Sequence, residues 1–199
     1  MKKSSLIGLL MLLLMMPTAW AEMNNAIVHF KNGEKLECKS DFVSINTKKF
    51  KIRRDVNSRK EVIKKDDVAI VELIYNDGTE YAMCNVPYVS GIKAIKGDYS
   101  KPKNDLFLPL VAPGFLSLFH YTVDGYHHYF LKRMDVDCAI HLSDGKKFNA
   151  NSVKAMITYL SDYPELCESL NNRKVETSEL EGIVQEYNQW KERQLNAGN

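Results

Sequence analysis

Along much of the chain apolar and polar residues alternate, and the alternation is interrupted repeatedly by an Asn-Gly or Asp-Gly pair. Ile27–Cys38 reads IVHFKNGEKLEC, with apolar positions on both sides of Asn32-Gly33. That dipeptide most readily forms a two-residue type I′ turn, so the segment predicts a β-hairpin. The same design returns around Asp77-Gly78 (VELIYNDGTEYAMC), around Asp144-Gly145 (CAIHLSDGKKFNA) and, in weaker form, around Asp124-Gly125 (YTVDGYHHYF). Between the first two, Phe42, Val43 and Ile45, then Phe50 and Ile52, then Val62 and Ile63, and finally Val68, Ile70 and Leu73 mark short strands separated by polar turns. From Ile27 to Met83 that makes five or six strands, the pattern of a small, strongly bent β-barrel.

Residues 89–105 change character, with Gly91, Gly97 and Pro102 set among lysines, and read as a linker. Leu106–Phe119 is the most apolar stretch after the leader, but at fourteen residues with Pro109, Pro113 and Gly114 inside it, it cannot span a bilayer as a helix. Phe115–Tyr121, Tyr126–Met134 and Cys138–Leu142 predict an antiparallel sheet. The period then becomes helical. Val153, Met156, Ile157 and Leu160 follow a cap at Asn149 or Asn151. A short helix starts at Pro164, and a last one begins at the Ser178/Glu181 capping box, with Leu180, Ile183, Val184, Tyr187 and Trp190 as its stripe. The expected fold is α+β: leader 1–21, small β-barrel 22–88, linker 89–105, then an antiparallel sheet covered by two or three helices over 106–199.

The leader reading rests on Lys2 and Lys3, the apolar run Leu6–Met16, Pro17, and the small-x-small site Ala19-Trp20-Ala21, which together form a secretory signal. Cleavage is expected after Ala21. The first cysteine is then Cys38, too far from the cut for lipidation, so the expected location is the periplasm or the cell surface. Charge looks different once the leader is removed. The whole chain has 27 Lys and Arg against 25 Asp and Glu; without the two leader lysines the count is 25 against 25, which argues against nucleic acid as a partner. The charge is nevertheless uneven, since Lys48–Lys65 holds nine basic residues against Asp55 and Glu61. Within it Lys48, Lys49, Lys51, Arg53 and Arg54 alternate with Phe50 and Ile52. They can line an exposed strand face that meets an anionic polymer, or they can guard an edge strand against stray pairing. The four cysteines, Cys38, Cys84, Cys138 and Cys167, have no C-x-x-C spacing and read as small buried apolar residues, a Cys38–Cys84 bridge being the geometrically plausible alternative.

Two resemblances bear on these segments. VHFKNGEKL and IKKDDVAIVEL resemble the opening hairpin and closing strand of Sm-like and Src-homology-type small barrels. Gly114–Phe119, Tyr129–Arg133, Tyr159–Leu166 and Ile183–Trp190, in that order, resemble a group of small exported proteins of anaerobic Gram-negative bacteria with no assigned activity. Neither resemblance implies catalytic residues.

Candidate chemistry is sparse. His127 and His128 are neighbours on a predicted strand and so point to opposite faces. A metal site would need His29 or His120 to converge with His127 and His141. Ser90 and Ser117 lack a nucleophile motif, and Asp135 with Asp137 lacks the further oxygen ligands of a calcium loop. The sequence therefore points to an exported, non-enzymatic binding or envelope-assembly protein that uses no cofactor, its partner a protein or another envelope component. A small metal-dependent hydrolase and an anion- or polysaccharide-binding surface protein are the alternatives. Oligomeric state is left open.

Overall fold

The computed structural model describes residues 23–55, 57–144 and 147–197. The leader therefore lies outside the described residues, as does the Gly145 half of the Asp144-Gly145 turn. The chain is mixed α+β, with one open sheet of eleven strands and four helices among the described residues. The strands are β1 (Asn24–Phe30), β2 (Lys35–Ser40), β3 (Lys49–Arg53), β4 (Glu61–Lys64), β5 (Val68–Ile74), β6 (Glu80–Cys84), β7 (Tyr88–Ser90), β8 (Leu108–Ala112), β9 (Leu116–Val123), β10 (Tyr126–Arg133) and β11 (Ala139–Asp144). The helices are α1 (Gly91–Ile95), α2 (Ala150–Tyr159), α3 (Pro164–Asn171) and α4 (Leu180–Ala197). Across the sheet the order is β4-β3-β2-β1-β5-β6-β8-β9-β10-β11-β7. Every pairing is antiparallel except β11 with β7. Among the described residues no helix is long and apolar enough to cross a membrane.

The glycine turns divide into two kinds. At Asp124-Gly125 both residues have positive φ, 51° and 78°, and Val123 pairs with Tyr126. This is the two-residue type I′ turn, in the segment whose pattern is weakest. At Asn32-Gly33 and Asp77-Gly78 only the glycine is left-handed, at 91° and 83°. The Phe30 N–H donates to Glu34 O and the Gly33 N–H to Phe30 O, and Tyr75, Thr79 and Gly78 repeat the arrangement. These are three-residue turns closed by a glycine bulge. The Asn32 and Asp77 side chains accept the Glu34 and Thr79 N–H groups, at 3.0 and 2.9 Å, a local bond that suits their non-glycine conformation.

Two large cores and one small one fill the molecule. Ala26, Val28, Phe50, Ile52, Val71, Leu73 and Met83 bury one face of the first strands, together with Phe107 from beyond the expected linker. Leu116, Leu118, Leu131, Ile140 and Leu142 bury one face of the later strands beneath α2, α3 and α4, through Met156, Leu160, Leu166, Leu170, Ile183, Val184 and Tyr187. Between them, Cys84, Tyr88, Leu108, Phe119, Phe130 and Ala139 form the third cluster.

Residues 89–105 are more structured than their composition suggests. Val89 and Ala94, from β7 and α1, are buried in the second core, and Ser90 caps α1 by accepting the Lys93 N–H. The linker reading failed because α1 is a single short turn whose stability comes from packing, not from local pattern. β8 was hidden by Pro109, which sits opposite Met83 where only two residue pairs join β6 to β8. Such a short, bulged strand tolerates a missing N–H. Asn149 caps α2, accepting the Asn151 and Ser152 N–H groups at 2.9 Å. The last helix opens earlier than expected. A 3₁₀ turn at Thr177–Glu179 precedes α4, and Glu179 accepts the Glu176 N–H at 2.9 Å, so the box is Glu176/Glu179 and not Ser178/Glu181.

Candidate functional site

Phe50 and Ile52 are buried, so the alternate residues of β3, Lys49, Lys51 and Arg53, face the other side of the sheet. Directly opposite residues in antiparallel strands share a face. Lys49 lies opposite Lys64 of β4, Lys51 opposite Val62, and Arg53 opposite Lys39 of β2. Five cationic side chains on three strands thus occupy one outward face, which extends roughly 13 Å along β3. Lys35 and Glu37 stand in the same phase of β2 as Lys39 and add one charge of each sign to that face. Lys39 and Lys64 were not singled out in the sequence because only pairing between strands brings them to Lys49–Arg53. The available signal was their shared phase with the outward residues of their own strands.

The rest of the expected basic set is used differently. Arg54 turns to Glu61 in a two-pronged ion pair, with Nε 2.8 Å from Oε1 and Nη2 3.2 Å from Oε2. That pairing raises the Arg54 pKa and lowers that of Glu61. Lys48 is exposed and its carbonyl accepts the Lys65 N–H. The edge strand is β4, not β3. Protection of an edge therefore accounts for Lys64, and β3 is an inner strand that β4 covers over Lys49–Ile52 while β2 pairs with it only at Ile52 and Arg53.

The histidines form two pairs on opposite faces of β10. On the helix side His120 Nε2 lies 3.1 Å from His127 Nδ1, which is also 3.1 Å from Thr122 Oγ1. The His120 ring stacks on Tyr129, with centroids 4.5 Å apart. His120, His127 and Tyr129 line a groove of about 560 Å³ with Val111, Leu118, Thr177, Ser178 and Glu181. On the other side His128 Nδ1 lies 3.0 Å from His141 Nε2, among the rings of Tyr88, Tyr121 and Phe130. Burial lowers the His120 and His128 pKa values and takes His141 down to about 4. His29 is far along the sheet on β1, with Nε2 3.0 Å from Glu72 Oε1 in a geometry that does not make a hydrogen bond. The convergence of His29 or His120 with His127 and His141 is therefore not realised. Among the described residues no three His, Cys, Asp or Glu side chains gather closely enough to enclose a metal ion.

All four cysteines are free thiols. Cys38 belongs to the first core and Cys84 to the third, and burial pushes their thiols up to about 11 and about 12. They behave as small apolar residues. Asp135 is taken up by Arg133, with Oδ1 2.9 Å from Nε. Arg133 also reaches Asp162 at 3.0 Å, and Asp162 accepts from Tyr187 and Lys191 at 2.8 Å. This network ties β10 to the helices and has the character of a structural clamp. No protein-family model, curated protein or solved structure matches the chain.

Proposed function

We propose that this is an exported, non-enzymatic binding or envelope-assembly protein that holds an anionic polymer on the outward face of β2, β3 and β4. One observation carries the reading: two like-charged pairs, Lys49 with Lys64 and Lys39 with Arg53, stand directly opposite one another on that face. Like charges directly opposite are destabilising. At a separation of about 6 Å in a water-like dielectric each pair costs roughly 0.7 kcal/mol, and a bound polyanion turns that repulsion into attraction. The ligand class is an envelope polymer bearing carboxylate, sulfate or phosphate groups. The leader-like pattern of residues 1–21 supports an extracytoplasmic site of action, in the periplasm or at the cell surface. The binding module in this proposal is the β1–β6 half, taken as a bent, open version of the Sm-like and Src-homology-type small barrels, with the helix-covered half as its support. The second resemblance, to small exported proteins of anaerobic Gram-negative bacteria, fits the same picture.

Chromatography on immobilised heparin, a model polyanion, tests the binding. The wild-type mature chain is expected to elute only as salt is raised, and Lys49→Glu/Lys51→Glu to pass through. Equal elution of the two proteins removes the proposal.

A further inference from the structure

The groove between β9–β10 and the start of α4 lies apart from the basic face and has a chemistry of its own. Two imidazoles meet there across the strands. The His120 and His127 centroids are 5.3 Å apart and the rings are within 16° of parallel, while the facing nitrogens are 3.1 Å apart. The rings therefore lie almost edge to edge, one N–H directed at one lone pair. Two imidazole nitrogens bound to one divalent d-block ion at about 2.0–2.1 Å stand about 2.9 Å apart at a right angle and about 3.4 Å apart in a tetrahedron. The observed separation falls between these values. In the edge-to-edge arrangement each nitrogen faces the other, so coordination of one ion requires both rings to turn about the soft Cβ–Cγ bond.

We propose that His120 Nε2 and His127 Nδ1 form a two-imidazole site for a divalent d-block cation, copper(II) or zinc, whose remaining positions open into the groove. Binding replaces the shared N–H. The donor ring moves its proton to its other nitrogen, so both facing nitrogens coordinate as neutral ligands and no net proton leaves. The Tyr129 ring stacked on His120 and the Thr122 hydroxyl beside His127 stand as outer partners to the two rings, the kind of neighbour that orients ligating imidazoles. Glu181 lines the same groove and supplies a counter-charge. The opposite pair has nearly the same spacing but a different setting. His128 and His141 are hemmed in by Tyr88, Tyr121 and Phe130, and Lys103 repels a cation there. This pair is the internal control.

The test uses the mature chain without an affinity tag, titrated with copper(II) at neutral pH. Uptake of one ion per chain is expected, with a spectrum showing two imidazole nitrogens, and with substoichiometric copper broadening the His120 and His127 ring signals in the wild-type NMR spectrum before those of His128 and His141. His120→Ala and His127→Ala should each weaken binding at least tenfold, and His128→Ala should leave it within twofold. The wild-type NMR result does not depend on whether a variant folds. Absence of saturable uptake, broadening centred on His128 and His141, or loss of binding in His128→Ala alone would overturn the assignment.

Discussion

Replacing Gly114 by alanine should release the last helix from the sheet, and the structure sets the size of the effect. A Cβ at Gly114 would stand 2.2 Å from Asn188 Nδ2 and 2.7 Å from Asn188 Cγ, so the Asn188 side chain must leave its place. In that place it bonds both backbone groups of Leu116: Oδ1 accepts the Leu116 N–H at 2.7 Å and Nδ2 donates to Leu116 O at 3.0 Å. Each bond has a net worth of about 1 kcal/mol, more if its buried partner is left without water. The loss of both, with a remainder for backbone strain at Gly114, comes to about 3 kcal/mol, and Asn188→Ala alone should cost about 2 kcal/mol. For a chain of this length 3 kcal/mol lowers Tm by about 6–12 °C. The decisive assay is a double-mutant cycle by urea denaturation. With Asn188 already truncated, Gly114→Ala should cost only about 1 kcal/mol, giving a coupling near 2 kcal/mol. Additivity of the two changes within about 0.5 kcal/mol would refute the close-approach reasoning.

Three further outcomes follow from other parts of the molecule. Gly33 has φ 91° and open space where a Cβ would go, so Gly33→Val should cost about 1–2 kcal/mol through the backbone alone, and Gly33→Asn less, by thermal melting; equal cost for the two would contradict this. Lys65 is buried, its Nζ bonded to Asn85 Oδ1, Asn104 O and Asn104 Oδ1 at 3.0, 2.7 and 3.1 Å, and burial lowers its pKa; Lys65→Met should lower stability by about 2–3 kcal/mol, and an unchanged melting temperature would show that these bonds contribute nothing net. His141 titrates at about 4 in the fold, against an ordinary value of 6.5, with His128 and Lys103 facing it. Its contribution is intact above pH 6.5 and is lost as pH falls toward 4, because the unfolded chain takes the proton first. His141→Phe should flatten the fall in urea midpoint over that window, and an unaltered pH profile would count against it.

Several features of this fold were legible from local chemistry. The Asp124-Gly125 turn, the Asn149 cap and the apolar stripe of α4 each declare themselves within a few residues, and the opposite facing of His127 and His128 follows from strand geometry alone. Gly114 and Asn188 both stood in the resemblance motifs, yet their partnership needs 73 intervening residues to fold back. The same limit hid the candidate site. Lys49 and Lys51 announce a basic strand, whereas Lys39 and Lys64 join it only through cross-strand register. β7 and β8 lacked any local signal, because one is three residues long and the other contains Pro109. Both owe their place to the cores they complete. The shift of the capping box to Glu176/Glu179 is smaller in kind: two acids compete for one helix start, and the 3₁₀ turn decides.

The proposed polyanion face is tested most directly by its salt dependence. Binding of fluorescent heparin by the mature chain, followed by anisotropy, should weaken with a log–log slope of about −3 to −4 as salt is raised, as expected when the polymer engages most of the five cations Lys39, Lys49, Lys51, Arg53 and Lys64. Lys49→Glu/Lys51→Glu should abolish measurable binding without lowering the melting temperature, since Glu at 49 relieves the repulsion with Lys64. A salt-independent affinity, or binding unaffected by those two substitutions, would contradict the account.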